Sequence, residues 1–163
     1  VYKGSKLLKA ARLKFIMQDL VHEASKELVD ALGDKVVAVS LFGSWARREA
    51  AYDSDLDFFV VVKDLDERDR RFKIYHHLHK VVKRDVTVVD IDEDVLFRED
   101  LTITPLLLNI SWDSIILYDP SGRLESLFRR IRDTVREKLE RYKTKDGKYG
   151  WKPKDRQFTT IVV

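Results

Sequence analysis

Residues 56–62, LDFFVVV, constrain the fold more than any other stretch. A run this apolar and β-branched is a strand. Its near-continuous hydrophobicity places it in the middle of a sheet, covered on both faces. The expected class is therefore α/β (α+β), a sheet flanked by helices. Two aspartates, Asp55 and Asp57, stand at the head of this strand. Alternate strand residues share a face. Two carboxylates on one face repel each other unless a cation lies between them.

The other elements follow from period and punctuation. Residues 5–32 read as a long amphipathic helix, with Leu13, Ile16, Leu20, Ala24, Leu28 and Ala31 on one stripe. Ser5 is its expected cap, and Gly33 fits the position just past its end. Strands are expected at 35–42, 56–62, 84–91 and 114–118, and helices at 44–51, 66–80 and 123–142. Thr104-Pro105 reads as a cap followed by proline at the first helical position. The expected domain spans 1–142, with 35–91 as its core and 143–163 as a basic tail. The apolar end of that tail, QFTTIVV, reads as an added edge strand or a partner-binding peptide.

Composition excludes several function classes. The chain has 163 residues and no cysteine, so disulfides and thiolate zinc sites are out. No apolar run reaches the roughly 18 residues of a membrane span, and no signal-peptide pattern opens the chain. The cytoplasm is the expected location, with no membrane partner. Charged residues at 36%, a single asparagine and two glutamines lean toward a thermophilic source. Net charge is +3, but residues 141–156 alone carry seven Lys or Arg against two Asp. The body is thus slightly acidic, and overall basicity does not argue for nucleic acid.

The chemistry gathers between residues 41 and 90. A Gly-Ser turn, Gly43-Ser44, precedes a short helix and presents backbone N–H groups suited to phosphate. Gly43 permits close backbone approach. Arg47, one helical turn on, is placed to bind a β- or γ-phosphate with its planar guanidinium. Asp55 and Asp57 supply a carboxylate pair for Mg²⁺. Asp85 heads the next strand, on one face with Thr87 and Val89, and is the best third carboxylate. Asp90 and Asp92, past the strand's far end, rank below it. Together these residues suit transfer from a nucleoside triphosphate, with Asp85 also able to take the acceptor's proton.

The run Gly43-Ser44, ten residues, then Asp55-Leu56-Asp57 resembles the signature of the polymerase β-like nucleotidyltransferase superfamily. Ala46-Arg47 and the Ser54 that precedes Asp55 resemble its minimal nucleotidyltransferase (MNT) branch. The family's third aspartate falls on Asp85. Arg48 stands where that branch usually has glycine. The resemblance covers residues 36–90. It implies the nucleotidyltransferase fold with a short mixed β-sheet of about four strands flanked by helices, ATP as donor (another nucleoside triphosphate remaining open), and catalysis with two Mg²⁺ ions held by Asp55, Asp57 and Asp85. It also implies an acceptor hydroxyl, with a tyrosine on a HEPN-type partner toxin as the leading case. A non-catalytic partner-binding MNT module, an aminoglycoside nucleotidyltransferase and a nucleic-acid-end transferase are the alternatives.

Three other features read more blandly. His76, His77 and His79 look like a solvated helix face rather than zinc ligands. The arginines of 123–141 interleave with acids and read as ion pairs. Lys143, Lys145, Lys148, Tyr149, Trp151, Lys152 and Lys154 mix cations with aromatics, which suits either nucleic acid or a free terminus. Trp45, beside the phosphate turn, suits either base stacking or core packing.

Overall fold

The computed structural model describes residues 2–155. The first helix, α1 (Tyr2–Leu32), leads through a short 3₁₀ turn into β1 (Val36–Phe42). One helical turn, α2 (Gly43–Ala46), and a loop connect it to β2 (Leu56–Val62). Then come α3 (Glu67–Val82), β3 (Val86–Asp92), the single turn α4 (Glu93–Leu96) and α5 (Pro105–Asp113). The chain continues through β4 (Ile115–Tyr118), α6 (Arg123–Lys138) and the pair β5 (Leu139–Lys143) and β6 (Tyr149–Pro153).

Among the described residues, the main sheet has four strands in the order β3-β2-β1-β4. β1 runs antiparallel to β2 and β4, whereas β2 and β3 are parallel. The sheet is therefore mixed, as expected. β2 is central, and its neighbours in sequence, Phe58 and Phe59, are both fully buried on opposite faces. One face packs Met17, Val21, Ala24 and Leu28 of α1 and Ile74 and Leu78 of α3 against Val39, Phe58 and Val60. The other packs α5 and α6, through Leu107, Leu108, Leu127, Phe128 and Ile131, against Phe42, Phe59 and Val61. A strand reading LDFFVVV can exist only between two such layers.

Local signals place several boundaries. Thr104 caps α5, accepting a hydrogen bond from the Leu107 N–H at 3.2 Å, with Pro105 first in the helix. Gly33 takes φ +61 just past α1. The backbone is helical from Tyr2, so Ser5 lies inside α1 rather than at its cap.

The largest departure lies at the C-terminal end. The helix expected over 123–142 stops at Lys138, and residues 139–153 form an antiparallel hairpin rather than a tail. Leu139 pairs with Pro153 and Lys143 with Tyr149. The turn closes through Gly147, whose N–H donates to the Thr144 carbonyl at 3.0 Å and whose φ is +82. The hairpin docks on α5: the Trp151 and Trp112 rings meet edge to face at 5.2 Å, and the Trp151 indole donates to Asn109 Oδ1 at 2.9 Å. Cross-strand pairing and this docking outweigh the helical spacing of Leu139 and Tyr142. The segment QFTTIVV lies outside the described residues.

Candidate active site

The parallel register of β2 and β3 builds the site. Asp57 pairs with Thr87, and the Leu56 N–H donates to the Asp85 carbonyl at 3.0 Å. This sets Asp85 beside Asp55, each just ahead of its strand. Asp57 also pairs with Phe42 of β1. Paired residues face the same way, so Asp57 points to the α5 and α6 side, at the lip of the sheet. Asp57 is half-buried, and Asp55 and Asp85 are exposed.

Gly43 opens α2 with φ +74, directly under Asp57. A Cβ added at Gly43 would overlap the Asp57 carboxylate and lie 2.9 Å from its Cγ. The turn and the carboxylate are thus in direct contact, and glycine is needed twice over, for conformation and for space. Ser44 is half-buried beside it.

Burial pushes the Asp57 carboxyl up from its ordinary pKa. The Thr87 hydroxyl opposes this, the Asp55 charge adds to it, and Arg47 opposes it; the net shift is upward. A carboxylate held in this way favours a cation between itself and Asp55. The donors are all carboxylate oxygens, the set Mg²⁺ prefers. The residues present fit such an ion. Among the described residues, however, no three His, Cys, Asp or Glu side chains group closely enough to form a metal cage. The structure brings Asp55 and Asp57 into electrostatic contact and places Asp85 on the same lip, outside that pair.

Arg47 does not stand free. Its Nη1 donates to Asp113 Oδ2 at 2.9 Å and its Nε to Glu49 Oε2 at 3.2 Å. Burial disfavours its charge, but the hydrogen bonds to Asp113 and Glu49 outweigh burial and raise its pKa. Its guanidinium also lies over the Tyr149 ring, 4.7 Å from the centroid. Arg48 adopts the left-handed conformation, φ +62, at the position where the resembling branch has glycine. Arg48 therefore carries the backbone strain of this turn.

Arg84 was passed over in the sequence. It immediately precedes Asp85 and donates to the carbonyls of Tyr52 and, at 3.0 Å, Ser54. Its guanidinium also faces the Trp45 ring at 5.1 Å. It therefore ties the loop carrying Asp55 to the strand head carrying Asp85. The only local signal for it is a basic residue next to a strand-head acid. Asp113 was missed as well, and Arg141 was read only as one of the ion-paired arginines of 123–141, because only the tertiary fold joins them to Arg47.

The remaining candidates find structural roles. Asp90 and Asp92 bind Arg70, at 2.6 and 2.9 Å, and Arg71 also reaches Asp90. Burial raises the pKa of Asp90, but the arginine hydrogen bonds outweigh it and hold the carboxyl below its ordinary value. His77 lies 3.3 Å from Glu27, and His79 stacks on Tyr75. The Trp45 indole donates to the Ser54 carbonyl at 2.9 Å. Its ring lines an apolar cavity of about 350 Å³ with Met17, Val21, Leu41 and Leu56, on the α1 side of the sheet.

Comparison with known proteins agrees with this architecture. The family model described as polymerase beta, nucleotidyltransferase matches residues 25–109. A candidate protein adenylyltransferase of Methanocaldococcus jannaschii, MJ1305, is 26% identical over 138 residues, covering 74% of this chain and 84% of the relative. A crystal structure of a toxin–antitoxin with AMP-PNP superposes with a TM-score of 0.52 at 18% identity, covering 71% of this chain and 87% of that one. A mutant of the toxin–antitoxin MntA-HpeT gives 0.51 at 16% identity, over the same shares. These structural likenesses concern the fold. Among the described residues, no helix is long and apolar enough to cross a membrane.

Proposed function

From a chain that belongs to the polymerase beta nucleotidyltransferase family, as its match over residues 25–109 shows, we propose adenylyl transfer from ATP to a hydroxyl on a protein partner. The observation that carries this reading is the contact between Gly43 and the Asp57 carboxylate. A phosphate held by the Gly43-Ser44 turn lies beside the carboxylate that would hold its metal.

Each residue then has a role. The backbone N–H groups of the turn and the Ser44 hydroxyl grip the triphosphate, and Arg47 bears on its terminal phosphates. Asp55, Asp57 and Asp85 would hold two Mg²⁺ ions, which supply charge neutralisation at the attacking and leaving oxygens. Asp85, exposed at the head of β3, takes the acceptor's proton. The acceptor oxygen forms its bond to the α-phosphorus as the bond to the β-phosphate oxygen breaks, and pyrophosphate leaves. Arg84 keeps Asp55 and Asp85 in register through the loop carbonyls.

ATP is favoured because a fold neighbour was crystallised with AMP-PNP. A protein acceptor is favoured because MJ1305 is named for protein adenylylation. A partner toxin, HEPN-type by the sequence resemblance, is the first candidate, since toxin–antitoxin proteins share the fold. A nucleic-acid acceptor draws less support. The hairpin's Lys143, Lys148 and Lys152 already face Glu49, Asp146 and Glu140, at 3.7, 3.4 and 3.5 Å.

Incubation with α-labelled ATP, Mg²⁺ and the candidate toxin tests the reading. Label should pass to the toxin. Replacing Asp55 and Asp57 together by Asn should cut transfer by on the order of a thousandfold, the equivalent of several kcal/mol of metal-assisted stabilisation. Equal transfer by the double variant would overturn the site. A variant that no longer transfers yet still neutralises the toxin would instead favour the binding-module reading.

A further inference from the structure

Asp113, at the end of α5, is buried to 4% side-chain exposure and accepts from two arginines. The two are bound unequally. Arg141, from β5, is bidentate: Nη1 to Oδ1 at 2.7 Å and Nη2 to Oδ2 at 2.8 Å. Arg47 makes one bond, to Oδ2 at 2.9 Å. The fork-to-fork pair is the stronger and more directional contact. Arg141 is held further by Asn109 Oδ1 at 3.3 Å and by the Tyr149 ring, 4.0 Å from its guanidinium. Tyr149 in turn donates to Glu49 Oε1 at 2.6 Å, and Glu49 is the second partner of Arg47.

We propose that Arg141 is a positioning residue that frees Arg47 for the donor triphosphate by neutralising Asp113 in its place. The inference rests on the role given to Arg47 above and extends it to the hairpin, beyond the family match. A buried carboxylate stripped of its partner is strongly unfavourable. If Asp113 had Arg47 alone, moving Arg47 to a phosphate would leave that carboxylate bare, and Arg47 would stay where it is. With Arg141 seated on both oxygens, Arg47 can leave while Asp113 remains paired. Tyr149 offers Arg47 an aromatic face along which to shift, without full return to water.

The test is a double-mutant cycle on the dissociation constant of ATP with Mg²⁺, measured by calorimetry on the full chain. Arg47→Met should weaken ATP binding about tenfold or more, the loss of one charge-assisted phosphate contact. Arg141→Met should weaken it to a similar degree, because Arg47 is then locked on Asp113. The double variant should be no weaker than Arg47→Met. Adding Asp113→Asn to Arg141→Met should restore binding toward wild type, a rescue that a merely structural role for Arg141 would not give. Additive losses in the cycle, or no rescue by Asp113→Asn, would overturn the inference and leave the phosphate role of Arg47 intact. An unchanged constant for Arg47→Met would overturn that phosphate role instead. Should Arg141→Met fail to fold, Arg141→Gln, which keeps a polar side chain and loses the charge, is read in the same cycle, with the same weakening and the same rescue by Asp113→Asn expected.

Discussion

Gly43 shows how much one residue can decide. Its φ of +74 admits a side chain only with strain, and the Asp57 carboxylate fills the space where a Cβ would go. Gly43→Ala is expected to lose about 1–2 kcal/mol from the backbone alone and to push Asp57 off the lip of the sheet. Chemical denaturation should show the first loss and the transfer assay the second, with activity falling much further than stability requires. An alanine variant with full activity would refute the contact. At this scale the sequence was informative about position. Gly43, the aspartate pair and Asp85 all stand where the backbone builds the lip. Arg47 illustrates the limit: its place one turn after Ser44 was legible, but its engagement with Asp113, Glu49 and Tyr149 was not. Those partners lie as far as 102 residues away in sequence, and only packing brings them together.

Elements were legible in proportion to how local their causes are. The cap at Thr104 and the stop at Gly33 depend on immediate neighbours, and both stand. The hairpin of β5 and β6 depends on a docking partner. Its Asp146-Gly147 pair is a recognisable turn signal, yet the surrounding lysines resembled a solvated tail. Trp151 anchors the hairpin through Trp112, Asn109 and the Arg141 guanidinium at 5.4 Å. Trp151→Ala should therefore destabilise the protein by about 2–3 kcal/mol, seen as a lower urea midpoint at similar slope. By loosening Arg141 it should also weaken ATP binding. A stability loss under about 0.5 kcal/mol would mean that the hairpin is not integral to the fold.

For the molecule as a whole, the burial of Asp57 ties stability to pH. Burial, reinforced by the Asp55 charge, keeps the Asp57 pKa above its ordinary value in the folded chain. The folded state therefore binds this proton more tightly than the unfolded state. Stability from this group is highest below its ordinary pKa and falls as pH rises through the raised one. At neutral pH without metal, ionised Asp57 is a net cost. Asp57→Asn should thus melt higher than wild type at pH 7 in chelator, and the gap should close on acidification below the ordinary Asp range. Mg²⁺ with ATP should stabilise wild type more than the variant. A variant that melts lower than wild type in chelator at neutral pH would contradict the electrostatics of the site.

What the amino-acid sequence determined by itself was the α/β class, the central strand and the lip of carboxylates beside a glycine turn. These follow from short-range rules: the strand period, a run of apolar residues that only a doubly covered strand can bury, and a glycine where the chain turns at positive φ. The tertiary structure alone decided that Arg47 shares a buried carboxylate with Arg141 and that a basic stretch becomes a docked hairpin. It also decided that Arg84 splints the two acidic strand heads. Each of these is a contact between side chains or backbone groups far apart in the chain. Their partners are chosen by burial and charge pairing in the folded core, which no local pattern encodes.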